Sequence, residues 1–247
     1  MDQYRTLLNI GKSRIYNDHF HDHFRQGSCL DENENEVSMT EANNLEEYIR
    51  DLKKRVQDNP EDGVAHYNLA CVLIGEGRHQ DAEEELKKAI QLTPDLAEAY
   101  VQLGGLAMNK GDLLTCLSYN QKAAEFRPRF AVPHGNIGFV HLQLGKPDEA
   151  VKALRRALSF DPKFLQARST LGSAYLMQGD VDGCIDECRK VIEQEPSFGP
   201  AYNNLCLAYM EKNDFEQAVK NCDFAQQCGF EVAQQILEEL KPHRSSA

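Results

Sequence analysis

Tryptophan is absent from the 247 residues, and no run of about 18 apolar residues occurs, which excludes a helical membrane span. Basic residues are in short supply: 27 Lys and Arg stand against 39 Asp and Glu, a formal charge of -12. A general nucleic-acid binder carries a basic stripe for the phosphates, and none is visible. The opening Met1-Asp2-Gln3-Tyr4-Arg5 lacks the charged, apolar and small-residue segments of a secretory leader. Catalytic motifs are missing too: there is no Gly-rich phosphate loop, no H-E-x-x-H and no G-x-S-x-G elbow. The expectation is an acidic, soluble, cytoplasmic chain with no enzyme activity, cofactor, nucleic-acid partner or membrane insertion. In a reducing compartment the eight cysteines read as thiols.

What is present is a rhythm. Pro60, Pro94, Pro128, Pro162 and Pro196 are each 34 residues apart, and Gly77, Gly111, Gly145, Gly179 and Asn213 keep the same step. Small residues recur likewise at Ala70, Gly104, Gly138, Gly172 and Cys206, and at Ala82, Cys116, Ala150, Cys184 and Ala218. A further set is Ala89, Ala123, Ala157, Val191 and Ala225. A fixed period of this size marks a solenoid. Between prolines lie two apolar-periodic stretches of about 14 residues, too long for strands and rich in good helix formers. The glycine between them supplies a positive φ that ends the first helix, and Asn213 tolerates that region better than most residues. Proline cannot continue the second helix. Each unit is predicted to be a helix–turn–helix.

The pattern Tyr100-x2-Leu103-Gly104, Cys116, Ala123, Pro128 resembles the tetratricopeptide repeat, as do Leu171-Gly172-x2-Tyr175 and Ala150-x3-Leu154-x2-Ala157 with Pro162. The resemblance covers residues 63–230 and implies an all-α, right-handed α-solenoid of five helix-turn-helix repeats with flanking capping helices. Departures occur at the opening aromatic, which here is His66, Tyr100, His134, Arg168 and Tyr202, and at Phe230, where a proline would stand. Before the array, Leu45, Ile49, Leu52 and Val56 fall at helical spacing behind Ser38-x-x-Glu41, which resembles a capping box, and predict a capping helix over 38–59. After it, Val232, Ile236, Leu237 and Leu240 predict a second over 231–241. Residues 1–37, with the acidic stretch from Asp31 to Glu36, read as a partly disordered arm.

Places within a unit are counted here from residues 63, 97, 131, 165 and 199. The sixth place holds Asn68, Gln102, Asn136, Thr170 and Asn204. A carboxamide offers a donor and an acceptor and can pair with any peptide backbone. The resemblance implies that first helices line a concave groove, so this row, with Phe139 and Leu207 at the ninth place, is the candidate site for a protein or peptide partner. The twelfth-place residues Ile74, Met108, Leu142, Leu176 and Met210 either extend this strip or belong to the core.

Two other readings stay open. His19, His21 and His23 alternate near Asp18, Asp22 and Cys29 and are a candidate metal site, although their spacing matches no closed zinc site. Cys184, Cys188, Cys206 and Cys222 form a candidate redox or metal cluster. Against that, Cys116, Cys184 and Cys206 replace Ala or Gly of sister units, where a small hydrophobe suffices. A third possibility is self-association, with the arm lying in a neighbour's groove.

Relatives that clamp the C-terminal carboxylates of heat-shock proteins use Lys and Arg beside the Asn places. The second places here are Val64, Glu98, Val132, Gln166 and Pro200, none of them basic. Titration calorimetry with an acidic C-terminal tail peptide is therefore expected to show no binding tighter than millimolar; a micromolar constant would refute this.

Overall fold

The computed structural model describes residues 41–246, with side chains from 47 to 244. Among them there is no strand. The elements are α1 (Glu41–Asp58), α2 (Gly63–Gly75), α3 (His79–Leu92), α4 (Ala97–Asn109), α5 (Leu113–Phe126), α6 (Ala131–Gln143), α7 (Pro147–Phe160), α8 (Leu165–Gln178), α9 (Val181–Gln194), α10 (Gly199–Glu211), α11 (Phe215–Gln227), α12 (Gln234–Leu240) and a 3₁₀ helix (Lys241–Ser246). From α2 to α11 they pair as five hairpins, an all-α solenoid fold. The chain divides at Pro128–Arg129 into two compact units. The first holds α1 and two hairpins, the second three hairpins, α12 and the 3₁₀ helix.

Each turn is built as its sequence dictates. Gly77, Gly111, Gly145, Gly179 and Asn213 all have positive φ, the value for Asn213 being 57°. Four second or first helices begin at an aspartate whose carboxylate accepts from main-chain N–H groups: Asp62, Asp112, Asp180 and Asp214.

The two helices of a hairpin meet where the eighth place faces the twenty-fourth. A β-carbon on Gly138 would lie 2.5 Å from Leu154 Cγ, one on Gly172 would lie 2.9 Å from Cys188 Sγ, and one on Gly104 would strike Asn120 Nδ2. The recurring small residue is therefore a condition of the helix–helix approach. Asn120 itself, fully buried, donates to its own helix at Cys116 O, 2.9 Å away.

The fourth place solves one packing problem in two ways. Tyr100 packs on Tyr119 and Phe126, His134 on Phe160, and Tyr202 on Phe224, with centroids 5.4–6.4 Å apart. At His66 and Arg168 a polar bridge takes the aromatic contact's role. His66 Nδ1 lies 2.5 Å from Glu85 Oε2 and its Nε2 3.1 Å from Pro60 O. Arg168 donates to Glu187 Oε2 and to Pro162 O, each at 2.7 Å. The two units thus share the same architecture, a fourth-place side chain bridging a carboxylate on the second helix and the carbonyl of the preceding unit's proline. Burial opposes ionisation of Glu85, but hydrogen bonds from Lys88 and His66 outweigh it and hold the carboxyl below its ordinary 4.5. Its contribution to stability is present above that pH and is lost as pH falls through the lower folded value.

α1 packs on α2 through Ile49 and Leu52. In the second unit α12 closes the core with Ile236 and Leu240, and stacking of His243 on Phe215, 3.7 Å between centroids, holds the 3₁₀ helix.

Four outcomes are expected. Gly138→Ala destabilises by about 1–3 kcal/mol through overpacking. Gly75→Ala, whose β-carbon meets nothing within 4 Å, is neutral or stabilising by up to about 1 kcal/mol. Arg168→Ala, which leaves Glu187 with only Lys190 (Oε1–Nζ 2.7 Å), costs about 1–3 kcal/mol. Loss of the exposed Lys122–Glu125 pair leaves the stability unchanged. Urea unfolding monitored by circular dichroism measures all four.

Candidate functional site

Places two, six, nine and thirteen follow one another by four, three and four residues and so share a stripe of each first helix. On α6 the stripe is Val132, Asn136, Phe139 and Gln143, and on α8 it is Gln166, Thr170, Ser173 and Met177. In the second unit α6 touches α8 and α8 touches α10, so first helices lie side by side.

The sixth-place residues divide by what they already do. Asn204 is buried, and its Nδ2 donates to Ser169 O at 3.0 Å and reaches Ser169 Oγ at 3.4 Å. Its amide protons tie α10 to α8. Thr170, also buried, donates its hydroxyl to Gln166 O at 2.8 Å, within its own helix. Asn136 is buried, whereas Asn68 is half-buried. Gln102 is half-buried; its side chain hydrogen-bonds the Tyr67 hydroxyl, while its Oε1 is buried without a partner. Burial is the main reason that Tyr67 holds its proton well above the ordinary range of a phenol.

The ninth and twelfth places separate surface from core. Phe139 is half-buried, but Leu207 has no accessible surface and belongs to the apolar core of the second unit's C-terminal half. It can support an inner face from beneath and offers no contact of its own to an incoming chain. Ile74, Leu142, Leu176 and Met210 are buried in the hairpin cores, whereas Met108 is half-buried.

Three carboxamides of the second unit were not singled out by the sequence. Gln143 Oε1, Gln166 Oε1 and Asn203 Oδ1 are buried with no hydrogen-bond partner, as is Gln102 Oε1 in the first unit. A buried acceptor left unpaired costs about 1–3 kcal/mol until a donor arrives. These residues stand at places thirteen, two and five, so no single recurring place reveals them. Gln143 and Gln166 lie on the helical stripe and Asn203 lies off it.

The cysteines pack as small hydrophobes. Cys116, Cys184, Cys188, Cys206 and Cys222 are fully buried. Burial pushes the Cys116 thiol up to about 12, and a hydrogen bond with Cys184 together with burial pushes Cys188 well above its ordinary value. His19, His21 and His23 lie outside the described residues. Among the described residues no group of three or more His, Cys, Asp and Glu is placed to hold a metal ion, and no helix is long and apolar enough to cross a membrane.

Family models of the tetratricopeptide repeat match residues 63–96 and 141–206. Among solved structures, YrrB, described as a tetratricopeptide-repeat protein with an unusual peptide-binding site, is 23% identical with a TM-score of 0.62; the match covers 77% of this chain and 97% of that one. The Cut9–Hcn1 hetero-tetramer of the APC/C is 20% identical with a TM-score of 0.70, over 81% of this chain and 40% of that one. MamA from Desulfovibrio magneticus RS-1, residues 41 to the end, is 19% identical with a TM-score of 0.60, over 68% and 94% of the two chains. At these identities the likeness concerns the fold. No curated protein matches the sequence.

Proposed function

This chain belongs to the tetratricopeptide-repeat family, a scaffold for protein–protein interaction, and we propose that it is a non-catalytic cytoplasmic adaptor whose first helices hold an extended segment of a partner polypeptide. The observation that carries this reading is the half-buried stripe on neighbouring first helices of the second unit, Val132, Phe139 and Gln143 on α6 with Gln166 and Met177 on α8. The carboxamides of Gln143 and Gln166 each offer a donor and an acceptor to a peptide main chain. Phe139, half-buried on the same stripe, supplies apolar contact. Asn204, which ties α10 to α8, and Leu207, in the core beneath, support the stripe, and Thr170 bonds within its own helix. Main-chain pairing gives affinity with little demand on ligand sequence; specificity then falls to Phe139 and to the residues around it. The peptide-binding site named for YrrB is consistent with this use of the fold.

The test is selection from a displayed peptide library, followed by titration of the enriched peptides against variants. Phe139→Ala with Gln143→Ala and Gln166→Ala is expected to weaken binding at least tenfold while leaving Tm within a few degrees. A control triple on a second helix, Lys152→Ala with Arg155→Ala and Arg156→Ala, should leave the affinity unchanged. Equal affinities for the stripe variant and the unaltered chain would refute the reading.

A further inference from the structure

Charge is distributed unevenly over the second unit. Its second helices carry both signs, with Asp148, Glu149, Lys152, Arg155 and Arg156 on α7 and a further mixture on α9. The first helix α6 contains no Asp, Glu, Lys or Arg. On α8 the one such residue is Arg168, whose guanidinium is already bound to Glu187 and to Pro162 O. On α10 it is Glu211, exposed at the helix end. In a chain that is 27% charged, the stripe shared by three neighbouring first helices is therefore neutral up to Glu211.

The repeat does not demand this neutrality. In the first unit the second place carries Glu98, half-buried and paired with Arg127. The equivalent residues of the second unit are Val132, Gln166 and Pro200, each half-buried. Water still reaches these places, so a charge there would keep much of its hydration in the free protein. A bound segment changes that balance. Once Gln143 and Gln166 pair with its main chain, what the stripe leaves for its side chains is Val132, Phe139, Met177 and Pro200. All four are apolar, and methionine adapts its shape to the surface it meets. Successive side chains of an extended segment point to opposite faces, so every second one lies on this strip. A charged side chain placed there would lose its water and find no ion of opposite sign, which is unfavourable for either sign.

We propose that the occupant of the stripe is an extended segment of a partner protein whose alternate side chains are apolar and uncharged. This rests on the peptide-holding role proposed for the stripe and adds the chemistry of what is held. With neighbouring helices about 9 Å apart, three of them span about 18 Å, or about six residues of extended chain. Segments that turn a charge toward the strip are rejected by desolvation, so selectivity works by exclusion.

The test uses two displayed libraries of octapeptides between Gly-Ser flanks, one of all residues and one without Asp, Glu, Lys and Arg. Both are expected to yield binders, and those from the full library should carry apolar residues at alternate central positions. A binder is then remade with Asp, and separately with Lys, at each of these positions. Both changes should weaken binding about tenfold or more, at low and at high salt alike. The net charge of -12 acting at a distance would instead penalise Asp, favour Lys and fade with salt. One result would overturn the inference and leave the peptide-holding stripe standing: a binder whose affinity is lost when its own charged residue is changed to Ala, and also lost against Phe139→Ala with Gln143→Ala and Gln166→Ala. An empty selection from the uncharged library beside a productive one from the full library would do the same. Binders indifferent to that triple variant, or no binders from either library, would refute the stripe itself and this inference with it.

Discussion

The contact between places eight and twenty-four governs the whole array. Two helices joined by a turn of a few residues can bury their apolar stripes only if their backbones approach closely, and the approach is limited by the bulk at that single crossing. Across the five hairpins the pairs are Ala70 with Leu86, Gly104 with Asn120, Gly138 with Leu154, Gly172 with Cys188, and Cys206 with Cys222. Glycine faces leucine, asparagine or cysteine on the second helix; alanine is accommodated against Leu86. Cysteine at the eighth place occurs where the twenty-fourth is also cysteine. The volume at the crossing is shared between two side chains, and each hairpin divides it differently.

That constraint explains why so much of the fold was legible in the sequence. A glycine at positive φ, a small residue at a crossing and a proline past a helix end each have one physical cause and recur at one place, so they stay in register through all five units. The fourth place shows where legibility fades. His66 and Arg168 break the aromatic column and suggest weak packing when each is taken alone. Their carboxylate partners Glu85 and Glu187 lie 19 residues away on the second helix, and the carbonyls they also bind belong to main chain, which a sequence does not display as a motif. The replacement for an aromatic contact is thus a set of groups that only folding assembles.

The candidate site was harder still, for a related reason. A recurring place selects residues with a common structural duty, and Asn204 proves to have one, since it binds Ser169 across two first helices. Residues available to a ligand have no such common duty and need not recur. Gln143 and Gln166 stand at two different places and are linked only by lying on one stripe of neighbouring helices. Conformity to the repeat and availability for binding are thus nearly opposite signals along this chain.

The same logic connects the last hairpin to the stripe. In a solenoid, stability is close to a sum of unit terms and nearest-neighbour interfaces, so a change inside one hairpin is felt first by the helices that touch it. Cys206 lies one turn or less from Asn203 and Asn204 on α10, and the Cys184 sulfur faces Asn204 O at 3.9 Å from α9. The bond from Asn204 to Ser169 carries α10 onto α8, where Gln166 and Thr170 stand. A shift of α10 is therefore felt on α8 through that bond.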